Sequence, residues 1–512
     1  MSARATFHRA LELDFVVTPE MFRAAFPEPR ASTFVLDGGG ASARPRLDRA
    51  AFMGAAPSAT FRARRTTARD DAGRVLADVE VRYADGRSTM RRGVDAFAEL
   101  HELVSASALP ADGFDDRYPF AFRGGLVGYI GYECGQLLER LPCLPRPSAG
   151  MPDIAFALHD WVIATRRDSD RSWLSVVGRG PSIAEARADA EVTREWVVAA
   201  LRNPEARSVR SEERQRTKPR ITATLTAAEY MSRVAIAKEH IAAGDTFEIC
   251  LTTAHRAHVA QDQAWPLFEE LRRSNPAPFA ALLDLPEGAV VSSSPERFLS
   301  LDASGVAESR PIKGTRPRGA TAAEDDRLAR ELAASEKDRA ENAMIVDLVR
   351  NDLGRVCRFG TVEVPELFAI EPYATVHQLV STVRGQLTDG CDAIELVRAC
   401  FPPGSMTGAP KIEAMSILEH LEPVERGVYS GALGWMDVGG AMDLSVVIRT
   451  VVLKDDVATF SVGGAVVADS DPRGEHEEAE QKARALVRAI ETIAHPPRSP
   501  ERRSSPDVEQ HA

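Results

Sequence analysis

Five features of this 512-residue chain could do chemistry: a lysine in a stiff turn, two acid pairs at helical spacing, an arginine within an apolar run, and two adjacent glycines. The lysine is Lys313 in "SRPIKGTRPRG", where Pro311, Gly314, Pro317 and Gly319 read as a rigid cationic turn before a helix from about Ala322. A solvated surface loop would explain the charge, but a functional reading must give the amine a task. The acid pairs are Asp338 and Glu341 in "SEKDRAENAMIVDLVRND", and Glu475 and Glu478 in "PRGEHEEAEQKARALVRAI", with Lys482 one turn later. Three-residue spacing puts each pair on one helix face. One such helix reads as a solvated acidic face. Two of them face to face repel unless a hard divalent cation lies between, and Mg²⁺ is typically held by one or two carboxylates plus water and substrate.

"TFSVGGAVVADSDP" reads as a strand followed by a turn at Gly463 and Gly464. Such a turn is either a bulge or a place where backbone N–H groups hold an anion. "FPPGSMTGAPKIEAMSILEHL" reads as a rigid turn opening a helix, without the spacing of a phosphate loop. In "GALGWMDVGGAMDLSVVIRTVVL", a hairpin pattern, Arg449 interrupts an apolar strand; it either pairs with an acid or binds a carboxylate ligand. Together these residues describe a site for a small dianion with a metal, and they leave Lys313 over.

The elements that must position them follow from periodicity. The first half gives short β-branched or aromatic runs with glycine punctuation, such as "STFVLDGGG" and "RVLADVEVRYADGRSTMRRG". "DAFAELHELVSAS" has helical spacing. "YPFAFRGGLVGYIGYECGQLLERL" reads as a strand leading into a helix, and "DIAFALHDWVIATRR" with "SWLSVVGRG" as a hairpin before a helix from Ser182 to Arg202. A charged, proline-containing stretch from Arg202 to Leu225 reads as a linker, and "TAAEYMSRVAIAKEHIAAGD" as a capped helix with a glycine stop. The domain expectation is a strand-rich region over residues 1–224, a catalytic region over 225–493 and a disordered tail over 494–512.

A net charge of −12 argues against general nucleic-acid binding. No apolar run is long enough to span a membrane, and the N-terminus lacks a signal-peptide pattern, so the expectation is a cytoplasmic protein. Six cysteines without a CxxC pair point to reduced thiols.

From about Leu225 to Ile490 the chain resembles the chorismate-utilising enzymes. The segments occur in order: "AGDTFEICLTT", "SSSPERFLS", "RPIKGTRPRG", "KDRAENAMIVDLVRNDLGRV", "HQLVSTVRG", "FPPGSMTGAPK", "YSGALGW", "DLSVVIRT" and "GGAVVADSDPRGEHEEAEQKA". "FVLDGG", "FMGAAP" and "FRGGLVGYIGYE" are similar to the family's N-terminal region. Within the family "PIKGT" resembles the aminodeoxychorismate synthase type, where anthranilate synthases carry alanine in place of the lysine.

The resemblance implies an α+β fold of two large, mainly antiparallel sheets packed as a sandwich, with helices outside and halves that interleave. It implies amination of chorismate by ammonia to 4-amino-4-deoxychorismate, the precursor of 4-aminobenzoate, for folate or a secondary metabolite. Lys313 would add to C2 of the ring, its amine kept neutral by Mg²⁺, Arg316 and Arg318. Glu296 would protonate the departing C4 hydroxyl. Glu341 and Glu478 would hold Mg²⁺, with Asp338 and Glu475 behind them or acting through water. Tyr429, Arg449, Gly463, Gly464 and Lys482 would hold the substrate carboxylates, and Thr315 would bind substrate. His377 and Thr407 would line the ring, although His377 taken alone reads as a packed core histidine. Glu248 stands where many members carry glutamine, or a water-activating lysine in isochorismate and salicylate synthases. No glutaminase nucleophile segment occurs, so ammonia would come from a separate glutamine amidotransferase subunit or from solution. "FVLDGG" departs from the segment of tryptophan-binding members. The alternatives are an anthranilate or 2-amino-2-deoxyisochorismate synthase with Lys313 as bystander, or a non-catalytic partner that binds chorismate or a glutaminase.

Overall fold

Several strands are buried along their whole length. Thr33–Asp37, Ala50–Gly54, Gly125–Ile130, Ile154–His159 and Gly288–Ser294 are buried at every position. Such strands need cover on both faces, and each sheet obtains it from the other sheet on one side and helices on the other. The structure, a computed structural model, describes residues 5–27, 31–38, 50–110, 113–203 and 219–494. Most of the expected linker (204–218) and nearly all of the expected tail (495–512) lie outside the described residues.

Two twelve-stranded sheets form the centre, and every pairing among the described residues is antiparallel. The first runs from Ala5–Glu12 through Arg171–Gly180, Trp161–Arg166, Ala50–Gly54, Thr33–Asp37, Phe279–Leu285, Gly288–Ser294, Thr450–Lys454 and Val457–Val466 to Glu248–His258 and Thr222–Ala223. The second runs from Ile312–Pro317 through Val376–Gln386, Val306–Ser309, Arg297–Leu301, Met442–Val446, Ala432–Asp437, Gly125–Ile130 and Ile154–His159 to Ala59–Arg69, Val75–Tyr83 and Ser88–Val94. Each sheet therefore mixes strands from both sides of Leu225, which marks a change of motif content within shared sheets.

Phe34, Phe122, Tyr129, Val162, Val290 and Leu433 fill the space between the sheets. Outside the first sheet lie the helices Ile183–Arg202, Ala227–Ala243, Ala264–Ser274 and Pro472–Ala494. Outside the second lie Ala96–Ser107, Glu336–Gly354 and Ala393–Cys400. Local signals explain their ends. Ser182 caps the first helix; Thr226 and Glu229 form a reciprocal capping box on the second, which stops at Gly244 with φ +85°. No helix among the described residues is long and apolar enough to cross a membrane.

The expected hairpin forms between Trp161–Arg166 and Arg171–Gly180, but its first arm divides between the sheets, because Ile154–His159 belongs to the second sheet. Both parts of that arm are apolar for most of their length, so alternation gave no sign that the chain changes sheets between them.

Candidate active site

The segment around Lys313 is an edge strand, where a turn was expected. Ile312–Pro317 pairs with Val376–Gln386, and the register breaks between Ile312 and Thr315. Proline and glycine are tolerated there because an edge strand leaves backbone groups unpaired and a bulge accommodates positive φ. Gly314 takes φ +83°, and a Cβ at that position would lie 2.8 Å from the Asp338 side chain. Two residues thus stand out of the ladder, and Lys313 is one of them.

The bulge is braced on both sides. Arg310 is buried and donates to Glu371 at 2.5 Å, while Ser381 N–H donates to the Pro311 carbonyl. Arg316 donates to Glu331 and Asp338 at 3.1 Å each, and Arg318 binds Asp325. The arginines are therefore engaged by acids, which corrects the expectation that they keep the lysine amine neutral. Lys313 Nζ donates instead to Glu248 Oε1 at 2.7 Å. Burial works against the charged form of Lys313. The carboxylates of Glu248 and Glu341 outweigh burial and lift the amine above its ordinary pKa.

Lys313 opens into a cavity of about 520 Å³, within the size range of small-molecule sites. Glu296, in the turn between Gly288–Ser294 and Arg297–Leu301, lines the same cavity. Burial pushes its carboxyl up to about 7, against the opposing pull of a hydrogen bond from Ser405 and the charge of Lys313. Arg449 lies at the crossover between Met442–Val446 of one sheet and Thr450–Lys454 of the other, with φ +51°. It was expected inside a strand. Its guanidinium meets no carboxylate among the described residues, and burial alone draws its pKa below the ordinary value. A half-buried arginine facing a cavity without a counter-charge suits an anionic ligand.

Two helices bring the acids to this cavity. Glu341 and Asp338 project from Glu336–Gly354, and Glu478 and Lys482 from Pro472–Ala494. Glu341 is raised by burial, whereas Lys482, 2.8 Å from Glu478, outweighs burial there and lowers Glu478. Lys337 lies 3.8 Å from Glu341 and also acts on Glu475 and Glu478, so one cation serves acids on both helices.

Gly463 and Gly464 are mid-strand, not in a turn; they pair with Thr252 and Leu251. The expectation failed because their small size is demanded by close neighbours: a Cβ at Gly463 would meet Leu251 O at 2.1 Å, and one at Gly464 would meet Glu475 Oε2 at 2.6 Å. The Gly463 carbonyl accepts from Lys482 at 2.8 Å. Both glycines line the cavity, as do Thr315 and Tyr429.

His377, Thr407 and Glu475 are absent from the lining. Val376 and Gln378 face the cavity, so strand alternation turns His377 away, where its Nε2 lies 2.9 Å from Asp325. Thr407 is fully buried and donates to Gly404 O. Glu475 accepts from Ser470 at 2.6 Å, behind Gly464. The helix Lys411–Leu421 turns its first lysine to Asp352 rather than its amides into the cavity. Residues not singled out in the sequence also contribute: Cys250, Ser405, Met406 and Ile448 line the cavity. Glu248, noted in the sequence only as a departure from the family's glutamine, sits behind Lys313. The signal for Glu248 was an acid at the head of the apolar run "EICL". A small second cavity of about 60 Å³ is bordered by Leu36, Asp37, Phe52, Phe279 and Trp435, so the "FVLDGG" segment faces a space of its own.

An amine, a carboxyl poised near neutrality and an unneutralised arginine around one cavity define an enzyme site for a small carboxylated molecule. A sequence model described as chorismate binding enzyme matches residues 58–488, and the chain belongs to that family. An aminodeoxychorismate synthase of Streptomyces pristinaespiralis is 43% identical over 438 residues, covering 81% of this chain and 57% of that protein. The chain thus spans little more than half the length of that relative. Anthranilate synthase component 1 of Streptomyces coelicolor is 40% identical over 406 residues, covering 78% of each. The crystal structure of anthranilate synthase component I from Streptococcus pneumoniae TIGR4 shares the fold, with a TM-score of 0.69 at 25% identity over 87% of this chain and 93% of that one.

Proposed function

We propose that the protein aminates chorismate with ammonia to give 4-amino-4-deoxychorismate. The observation that carries this reading is the Lys313 amine entering the same cavity as Glu296. The neutral amine adds to C2 of the ring, both conjugated ring double bonds shift by one position, and the C4–O bond breaks. Glu296 supplies the proton that turns the hydroxyl into water. Ammonia then bonds to C4, both double bonds shift back, and the C2–N bond breaks, with its electron pair returning to Lys313. The new C4 ammonium gives its extra proton to Glu296, so the sum is chorismate plus ammonia giving product plus water.

Arg449, Lys482 and Tyr429 fit the task of holding the substrate carboxylates. Glu341 and Glu478 would hold Mg²⁺, with Asp338 and Glu475 behind them. The fit rests on Lys337, whose single charge already serves acids of both helices. An ion held by these two acids would complete its shell with water and a substrate carboxylate. When bound, it would neutralise a ring carboxylate. We place the reaction in the cytoplasm, consistent with six free cysteines, and assign ammonia supply to a separate glutaminase subunit, in keeping with the component naming of the relatives.

Similarity to anthranilate synthases favours a second reading, amination at C2 with Lys313 as bystander. Chorismate, Mg²⁺ and ammonium are incubated with the protein, and aminodeoxychorismate lyase is then added. 4-Aminobenzoate is expected; fluorescent anthranilate without it supports the second reading. Lys313→Ala is expected to lose roughly 100-fold or more in C4 amination.

A further inference from the structure

The adduct at C2 needs a neutral amine, and the structure holds Lys313 charged. Its proton therefore has to leave before the nitrogen can bond to carbon. We propose that Glu248 is the acceptor: it takes the Nζ proton as the substrate closes the cavity, holds it while the nitrogen is bonded to the ring, and returns it when the C2–N bond breaks. This inference rests on the amination reading above.

Position comes first. Glu248 begins the strand Glu248–His258, and its carboxylate lies 2.7 Å from Nζ, a distance at which a proton passes along an existing hydrogen bond. Its side chain is fully buried and lies outside the cavity lining, so it meets the reaction only through Lys313. Lys313 has its ion pair with Glu248 alone among the described residues.

Oε2 of Glu248 is buried and has no hydrogen-bond partner among the described residues. A buried unpartnered acceptor is costly, and most so when the carboxylate is ionised. Protonation lowers that cost by making the group neutral. A neutral amine–acid pair also replaces a buried ion pair, and the exchange becomes easier as substrate expels water and lowers the local dielectric.

The other charged or titratable groups facing Lys313 are placed for different work. Glu341 and Glu478 come from the two outer helices, and Cys250 lies two residues along the strand from Glu248. Glu296 comes from the turn after Gly288–Ser294, where it is needed as a proton donor. The proton count closes: one N–H bond breaks and one O–H bond forms on Glu248, then the reverse, with Glu296 completing its own cycle separately.

The test compares Glu248→Gln and Glu248→Asp with the unaltered protein, measuring C4 amination by the lyase-coupled assay between pH 6.5 and 9. Rates are read as the ratio of variant to unaltered protein, which removes the shared titration of Glu296. Glu248→Gln is expected to be roughly 100-fold slower in kcat near pH 7, with an unchanged KM for chorismate. Its ratio should climb by up to about tenfold per pH unit as the amine loses its proton to solvent. Glu248→Asp keeps the charge and should follow the profile of the unaltered protein at a reduced rate. A Glu248→Gln ratio that is flat with pH, or a variant as fast as the unaltered protein, overturns the proposal. Absence of 4-aminobenzoate from the unaltered protein overturns the amination reading instead.

Discussion

Replacing Glu296 by glutamine should change how the stability of the protein depends on pH, independently of catalysis. Burial holds the Glu296 carboxyl at about 7, against 4.5 when exposed. The folded state therefore favours the protonated form. Because the folded value lies above the unfolded one, this contribution is fully present below pH 4.5 and is lost as pH rises through 7. At 1.36 kcal/mol per pH unit, the rise is worth about 3 kcal/mol once both states are ionised. Glutamine keeps the shape and never ionises, so Glu296→Gln escapes the loss. For a chain of this size, about 3 kcal/mol corresponds to a few degrees in Tm, on the order of 3 °C. Melting curves of both proteins between pH 5 and 9 provide the assay. The difference in Tm should move in favour of the variant by most of that amount as pH rises from 5 through about 7, and be constant from there to pH 9. Parallel curves across the range would mean that Glu296 is ionised in the folded protein at neutral pH. The general-acid assignment would then fall with the stability argument.

Arg449→Ala removes the guanidinium that has no counter-charge, and kcat/KM for chorismate should fall roughly 10- to 100-fold, mostly through KM, as steady-state kinetics would show. Gly314→Ala places a Cβ at φ +83° and 2.8 Å from Asp338, so it should cost about 1–2 kcal/mol in thermal melts and depress amination by disturbing the bulge. Glu341→Gln and Glu478→Gln should each raise the Mg²⁺ concentration for half-maximal activity by about tenfold or more, and calorimetric titration with Mg²⁺ should weaken in parallel.

Much of the site was legible because its residues repeat at helical spacing or sit in short ordered motifs. Asp338, Glu341, Glu478 and Lys482 reach the cavity, whereas Glu475, paired with Glu478 by spacing, stands behind Gly464. The failures share a cause, since each depended on partners distant in the chain. Gly463 and Gly464 looked like a turn because the backbone carbonyl and carboxylate that require their small size belong to Leu251 and Glu475. The "PIKGT" segment looked like a turn because its prolines and glycine gave no sign of an edge strand's partner. The surroundings of Lys313 were misjudged because the adjacent arginines were visible as its neighbours, whereas nothing in the sequence paired it with Glu248, 65 residues upstream. His377 shows the limit of a motif: its position in a strand, not its type, decides which way the ring points. The two-sheet architecture came from the family resemblance. Apolar strand runs alone do not say which sheet a strand joins, as the separation of Ile154–His159 from Trp161–Arg166 shows.

The mixing of early and late strands within each sheet has a consequence for how the protein is made. Gly125–Ile130 needs Ala432–Asp437 beside it, and the Gly427 N–H that donates to Glu133 lies 294 residues further along the chain. During synthesis the first half emerges with unsealed sheet edges and waits for most of the chain. Such long-range pairing makes folding slow and places the risk of aggregation early, before any cavity exists. Glu478 and Lys482 arrive in the helix Pro472–Ala494, the last described element to be translated. A chain stopped before that helix would lack one wall of the cavity.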